Sequence, residues 1–540
     1  MDILYKKARQ AQLCYEDLME KTGLFPASRV IFRVDETQKE QITKACFEKN
    51  PFPGIVKAVL LKLRLAAVKK LFIDEKVLQT GPAAAILALD AALAKELGEL
   101  RDGTQSDTPV ICDIGFAGLQ VIRLYMMAYG DNADFIQARY KSATRVDNAL
   151  NGSFYKYKTA DDRYFSAHVY YESQKSRIME TLGIKKDPDK FVLKSLPFDK
   201  KLTASAVAKW PAEVLEEQVF ADGACGCMLR TREEWEATEV GKAVCEMPLY
   251  RFNKVAEAPK KDFGKTDRRR GPLSGIKVLD LTHIIAGPVC TRLLAEYGAD
   301  VLMVRRGKFT EQEQAMLELD GWAGKNSIQL DFDNPDELEK AKALVKQADV
   351  VVCSYQNGAL DKFGLGAEGV HALNPNVIYA SMICFSDTVW KERPGWAPCA
   401  EDITGLSVRN GSLETPVNLN GVPLDYIPGM ILFSGVMKAL KLQMTEGGSY
   451  TLMGSLTRGG YWLHECTDVW ETRGEQENET PHSEISADAD NEIWHSVLHR
   501  VSGTSAGTVY FPSPATYFEG EGAVFSNMAF RDGQTGFRED

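Results

Sequence analysis

From residue 276 onward the apolar and polar positions fall into blocks of two kinds. "IKVLDLT" (276–282), "DVLMVRR" (300–306), "DVVVCSY" and "NVIYASM" are short, apolar and rich in β-branched residues, and read as buried strands. Between them lie segments of helical period. "AGPVCTRLLAEYGA" has Pro288 early and Gly298 at its end, and "NPDELEKAKALVKQA" opens on Asn334 with acids first and bases later. Strands alternating with helices at this spacing predict βαβ units, hence an α/β fold whose large domain is a Rossmann-like parallel sheet beside a smaller α+β domain. Further on, "GVPLDYIPGMILFSG" predicts an apolar helix with the single carboxylate Asp425 at its head.

The first half is less regular. "TGPAAAILALDAALAKELGEL" predicts a strong helix, and the apolar run "TPVICDIGFAGLQVIRLYMMAYG" predicts a strand running into another. "GSFYKYKTADDRYFSAHVYYES" alternates around an Asp-Asp turn, as a β-hairpin does, and "WPAEVLEEQVFADGACGCMLRTREEWEATEVGKAV" reads as helical with a loop inside. The halves echo one another. "TGPAAAILALDAAL" (80–93) and "PGMILFSGVMKALK" (428–441) both place a Gly before an apolar helix, with a polar turn and a strand beyond. Aligning Gly81 with Gly429 puts Val77 in the place of Asp425, so only the second copy keeps the acid.

Two seams divide the chain. "EAPKKDFGKTDRRRGPLSG" is rich in charge, Gly and Pro near the midpoint, and "ETRGEQENETPHSEISADADNE" (471–492) is polar and acidic, as a flexible loop is. The expected organisation is a helical N-terminal region (1–72), a partial first copy (73–256), a linker (257–272), a Rossmann-like domain (273–470), the acidic loop (471–492) and a C-terminal segment (493–540). A chain of 540 residues exceeds what one core supports, so more than one domain is expected.

Composition narrows the function. The net charge of −11 argues against a nucleic-acid binder, which needs a positive face. No apolar run reaches the roughly 18 residues of a membrane span, and the opening "MDILYKKARQAQLCYEDLMEKTG" lacks the apolar core of a signal peptide, so a cytoplasmic protein is expected. The eleven cysteines have no repeating spacing and read as reduced and buried. "ACGCM" (Cys225, Cys227) lacks a matching second pair and reads as a loop. "HSVLH" places His495 and His499 on one helix face without the Glu of a zincin. No metal is therefore expected.

The turn after the first strand of the second half, "DLTHIIAGPVCTRLL", sets small residues at a helix start, a geometry that suits an anion. It is not the dinucleotide fingerprint, and no ribose-binding acid follows, which disfavours a nicotinamide enzyme. Arg305, Arg306, Lys308, Lys325 and Lys362 follow at the ends of later elements, where a polyphosphate could lie; from charge alone they read as a solvated rim. On local sequence alone Asp425 reads as a helix cap.

At this point the residues resemble a family. "PLSGIKVLDLTHIIAGPVCTRLLAEYGADVLMVRRG", "GKNSIQLDF", "FGLGAEGVHALNPNVIYASMICF" and "GVPLDYIPG" look like successive signatures of the class III CoA-transferases, the CaiB/BaiF type that includes formyl-CoA transferase, carnitine CoA-transferase and α-methylacyl-CoA racemase. The match runs from about Pro272 to Leu440, and the first half resembles the later part of the same fold, so the chain looks like a tandem, partly truncated duplication. The resemblance implies coenzyme A as acyl-CoA co-substrate and a small carboxylic acid as acceptor, no metal, and a homodimer or a pseudo-dimeric monomer.

It also implies roles. Asp425 falls on the catalytic Asp, His283 and Ala286 on the loop at the acyl and pantetheine end, and Arg306 on the Arg that holds the adenosine phosphate end of CoA. Lys362 takes the place of a basic diphosphate contact, Lys325 joins the CoA-binding cations, and Ser354 and Tyr355 occupy an Asn-Phe pair lining the CoA channel. Ile285 stands where formyl-CoA transferases carry a Gln, which makes oxalate an unsuitable acceptor, and Trp396 stands where the racemases have a catalytic His. The expected function is CoA transfer from an acyl-CoA to a carboxylate through a mixed anhydride and thioester on Asp425. The alternatives are a non-catalytic CoA-binding scaffold and a 2-methylacyl-CoA racemase.

Overall fold

The computed structural model describes residues 3–48, 54–126, 128–129, 155–168, 172–184, 200–306, 319–474, 482–487, 497–504, 507–518 and 536–537. The second half is organised around one sheet of seven strands: β1 (Tyr250–Ala256), β2 (Lys277–Leu281), β3 (Asp300–Arg306), β4 (Asn326–Leu330), β5 (Val350–Cys353), β6 (Ile378–Ile383) and β7 (Ser449–Ser455). Their order is β4-β3-β2-β5-β6-β7-β1, parallel throughout except for β1, which runs antiparallel along β7. The six parallel strands thus follow the order of a doubly wound dinucleotide-binding sheet. Their near-continuous apolar sequences fit the burial, since β5 is buried at all four positions. The molecule is α/β as its periodicity predicts.

The helices that position the site are α1 (Ile3–Thr22), α2 (Thr80–Asp102), α3 (Ile114–Val121), α4 (Ala286–Glu296), α5 (Ala397–Ile403), α6 (Pro423–Thr445) and α7 (Leu456–Arg473). α6 is packed between α4 and α2, and its residues from Tyr426 to Met437 are all buried. Such all-round burial explains why the segment shows no amphipathic stripe. One apolar core runs continuously from α1 through α2 and α6 to Phe518. No described helix is long and apolar enough to cross a membrane.

The structure differs from expectation in four places. The run after Val110–Asp113 is not a second strand but α3, because the Asp113 carboxylate accepts the Phe116 backbone N–H at 3.1 Å and caps a helix there. A wholly apolar run carries no period that separates buried helix from buried strand. The expected loop at "ACGCM" is a strand, Gly226–Met228, paired antiparallel with Tyr164–Ala167 as the third strand of the hairpin sheet. Part of the acidic segment is also strand: Ser483–Ser486 runs parallel to Val30–Arg33 in a four-stranded sheet completed by Val110–Asp113 and Thr516–Phe518. His499 lies in the strand Leu498–Thr504 opposite Phe511, not on a helix, and His495 lies outside the described residues, as does Lys308.

The midpoint seam is held down rather than free. Arg101, at the end of α2, donates to the carbonyls of Phe263 (2.8 Å), Gly264 (3.0 Å), Pro272 (2.7 Å) and Ser274 (2.7 Å). A guanidinium supplies five donors in a fixed fork, so one side chain can fix both ends of the segment.

Candidate active site

In a doubly wound sheet the ligand crevice lies outside the carboxyl ends of the strands where the winding reverses, here β2 and β5. The turn leaving β2 spans residues 282–285 and runs straight into α4, and three contacts shape this junction. Gly287 lies so near the end of β5 that a Cβ there would come 2.6 Å from Ser354 Cβ and 2.8 Å from Thr282 Cβ. The His283 N–H donates to Ser354 Oγ at 2.9 Å, and the Ser354 hydroxyl faces the His283 carbonyl at 3.2 Å. The His283 ring meets Tyr355 edge-on, with centroids 4.5 Å apart. His283, Ser354 and Tyr355 are thereby brought together at the switch point. Ile284 has φ of 68°, a strained conformation for a β-branched residue, and such strain concentrates at functional sites.

Beneath the turn lies a buried ion pair. Asp280, in β2, accepts the Thr282 N–H (2.9 Å) and the Thr291 hydroxyl (2.7 Å), and pairs with Lys325 at 2.7 Å. Lys325 also donates to the Pro288 carbonyl at 3.2 Å. Both side chains are fully buried, so Lys325 turns its charge inward and braces the start of α4 rather than facing the crevice. This corrects its place among the CoA-binding cations. Arg306 is the last residue of β3, in register with Leu330. Its neighbour Arg305 lines the crevice with Thr282, His283 and Trp322, its guanidinium 5.1 Å from the Trp322 ring. Lys362 is exposed on the short turn Asp361–Phe363, its ammonium 4.6 Å over the Phe363 ring.

Asp425 is the third residue of α6 and does not cap it. Val422 is the capping residue and offers no side-chain bond, while the Asp425 N–H is satisfied by the Val422 carbonyl at 2.9 Å. The local cap reading is therefore overturned. Gly429, one turn on and on the same face, fixes where this face points. A Cβ at Gly429 would lie 2.4 Å from the Ala286 carbonyl oxygen and 2.8 Å from Val289 Cβ, so the start of α6 presses directly on the start of α4. Ala286 thus belongs to the floor between the two helix starts, neither of which has a side-chain cap.

The Asp425 carboxylate accepts no hydrogen bond from any described residue. Burial, reinforced by the nearby Glu401 carboxylate, pushes its pKa up to about 7. Glu401, in α5, is itself pushed up to about 7 by burial and then by Asp402, although it accepts the Leu419 N–H (2.7 Å) and Asn418 (2.9 Å). His283, by contrast, is pushed down to about 4 by burial against the opposing pull of Asp280, so it is neutral at physiological pH. Next to Asp425, Tyr426 donates to Asp320 at 3.1 Å, and Asp320 is ion-paired with Arg123 from the first half.

Sequence reading did not single out Glu401 or Asp320 for the site, and it named Arg305 only among the cations at the sheet's edge. Glu401 stands in "PGWAPCAEDITGLS", a stretch informative in sequence only for the Trp396 substitution. Arg305 and Arg306 are adjacent, and alternation along a strand assigns them to opposite faces without saying which face meets the crevice.

Residues 273–494 match the profile of CoA-transferase family III. Over this segment the chain is similar to the class III CoA-transferases. An acyl-CoA transferase of Gibberella moniliformis is 32% identical over 319 residues, 56% of this chain and 54% of the relative. An acetyl-coenzyme A transferase of Hypoxylon pulicicidum is 28% identical over 323 residues, 57% of this chain and 53% of the relative. The succinyl-CoA–L-malate CoA-transferase beta subunit of Chloroflexus aurantiacus is 32% identical over 193 residues, 33% of this chain and 48% of the relative. The chain spans about half the length of these curated relatives. Among solved structures, a CaiB/BaiF family protein of Brucella suis aligns with TM-score 0.34 at 25% identity, covering 44% of this chain and 65% of that one.

Proposed function

We propose that this protein transfers coenzyme A from an acyl-CoA to a carboxylic acid, with Asp425 as the nucleophile. The observation that carries the reading is the Asp425 carboxylate itself: half-buried, bound to no described donor, and held where two uncapped helix starts converge beside the switch-point crevice. A structural carboxylate in such a place would be hydrogen-bonded or ion-paired. A raised pKa also makes the deprotonated form a stronger nucleophile.

The carboxylate attacks the thioester carbonyl of the donor, and the C–S bond breaks to give a mixed anhydride and CoA thiolate. The thiolate attacks the aspartyl carbonyl, forming an aspartyl-CoA thioester and expelling the donor acid. The acceptor carboxylate attacks that thioester, releasing CoA thiolate and a second anhydride. The thiolate then takes the acceptor acyl group and Asp425 is returned as a carboxylate. Backbone N–H groups at the starts of α4 and α6 are the nearest donors for the oxyanions. Neutral His283 contributes no charge and, with Ser354 and Tyr355, lines the approach of the pantetheine arm. Arg305, Arg306 and Lys362 supply the cations for the phosphate end.

The test is exchange of labelled free acid into acyl-CoA across a donor panel, run with and without hydroxylamine. The expected result is exchange and hydroxylamine inactivation only in the presence of donor, both lost in Asp425→Asn. Retained exchange in Asp425→Asn would overturn the assignment, and CoA binding without any exchange would leave a CoA-binding scaffold.

A further inference from the structure

A second cluster of reactive side chains lies close to the site but outside its chemistry. His168 follows the hairpin strand Tyr164–Ala167, Cys227 sits in the neighbouring strand Gly226–Met228, and Cys399 lies in α5. One ligand atom from each lies within 4.8 Å of the other two, and all three residues are buried. The His168 Nε2 to Cys227 Sγ distance is 3.8 Å. Tetrahedral zinc with Zn–S of about 2.3 Å and Zn–N of about 2.0 Å puts an N–S donor pair about 3.5 Å apart, so this pair needs to close by only about 0.3 Å. Cys225 is fully buried two residues before Cys227, and its thiol is hydrogen-bonded to that of Cys399. The His168 N–H donates to the Cys225 carbonyl at 2.9 Å, which ties the two ends of the cluster together.

We propose that His168, Cys227 and Cys399 bind a zinc ion as a three-residue donor set. The donor set is soft and buried, the composition that zinc selects, and it lies inside the fold rather than in the switch-point crevice. Burial holds the imidazole neutral, its pKa about 4, so its lone pair is available throughout the physiological range. Burial raises the Cys227 thiol, and the hydrogen bond with Cys225 together with burial raises that of Cys399, so zinc binding releases one proton to solvent for each cysteine it takes as thiolate. The bond joins the small hairpin sheet to α5, whose next turn carries Glu401 and Asp402. Lys156 of the same hairpin sheet pairs with Asp402, a second tie between the same two elements.

The sequence hides this site because its donors are spread over more than two hundred residues. Only the Cys-x-Cys pair is local, and it lacks the second pair that a zinc-ribbon spacing would show.

The test uses the full chain expressed with zinc in the medium and exhaustively dialysed. Elemental analysis is expected to find about one zinc per chain, lost in Cys227→Ser and in Cys399→Ser but kept in Cys245→Ser, whose thiol stands apart. Should those variants fail to fold, the unaltered protein decides: a thiol-directed mercurial releases zinc stoichiometrically, and cobalt reconstitution gives a thiolate-to-cobalt charge-transfer band. Less than about a tenth of an equivalent of zinc with no such band overturns the site, as does a disulfide between Cys227 and Cys399 in the freshly isolated protein. None of these readouts uses CoA transfer, so the site stands or falls apart from the proposed activity.

Discussion

At the scale of single residues, Asp425 and Glu401 make the pH behaviour predictable. In the proposed mechanism Asp425 reacts as a carboxylate, so the rate of its first acylation is expected to rise with pH through about 7. Glu401→Gln removes the like charge and moves that midpoint downward, though not to an ordinary aspartate value, because burial is the larger cause. Single-turnover rates from pH 5 to 9 are the measurement; a profile unchanged in Glu401→Gln would dissociate the two groups. Stability moves the other way. The folded state holds the Asp425 proton more tightly than the unfolded chain, so its contribution is complete below about pH 4 and is lost as pH rises through about 7. Asp425→Asn should therefore stabilise the protein by about 1–3 kcal/mol at pH 8 and hardly at all at pH 4, read from thermal melts. That Asp425 is not a cap was beyond local sequence, since an Asp in the first turn of a helix satisfies the same preference as one at its cap.

At the scale of elements, the site depends on how closely α4 and α6 approach and on the brace beneath the β2 turn. Lys325→Ala leaves Asp280 buried without its cation and should cost about 3–5 kcal/mol in denaturant unfolding. Replacing both partners with apolar residues of similar volume should restore most of that loss, and a single variant of unchanged stability would show the pair to be solvated. Gly429→Ala places a Cβ against the Ala286 carbonyl, where a rigid backbone cannot give way. It should destabilise by about 1–3 kcal/mol and depress exchange more than a distant helix Gly→Ala change does. The strands and helices of the sheet were legible in sequence because each carries its own period and punctuation: Asn334 accepts the Asp336 N–H as the N-cap that was read for it, and the strand 300–306 has the boundaries expected. α3 was not legible, because an apolar run buried on every side has no period. The orientation of Lys325 was not legible either, because a cation at an element's end looks the same in sequence whether it faces a phosphate or a buried carboxylate.

At the scale of the whole molecule, the two halves share one core instead of forming separate units. The four-stranded sheet draws strands from residue 30, residue 110 and both C-terminal stretches, and α2 packs on α6. Gly81 and Gly429, matched in sequence, also play matched parts. Each lets its long helix lie against another, Gly81 on α1 and Gly429 on α4, and each helix leads to a strand and then a further helix. Val77, which this alignment sets opposite Asp425, is fully buried. Arg123 links the halves, bonded to Asp320, to Gln120 (2.9 Å) and to the Pro512 carbonyl (3.1 Å), while Asp320 also receives Tyr426. Arg123→Met should lower the midpoint of unfolding through a buried, uncompensated Asp320 and should also reduce exchange, because Tyr426 adjoins Asp425. Loss of stability with full exchange would separate the inter-half link from the site.

The central claim is that one carboxylate carries CoA. Its most direct test is mass spectrometry of the protein quenched in acid after mixing with an acyl-CoA donor and then digested. The expected result is a mass increase equal to CoA in thioester linkage, confined to the peptide containing Asp425 and discharged by an acceptor acid. CoA or acyl label on any other residue, or none on Asp425 while exchange proceeds, would contradict it.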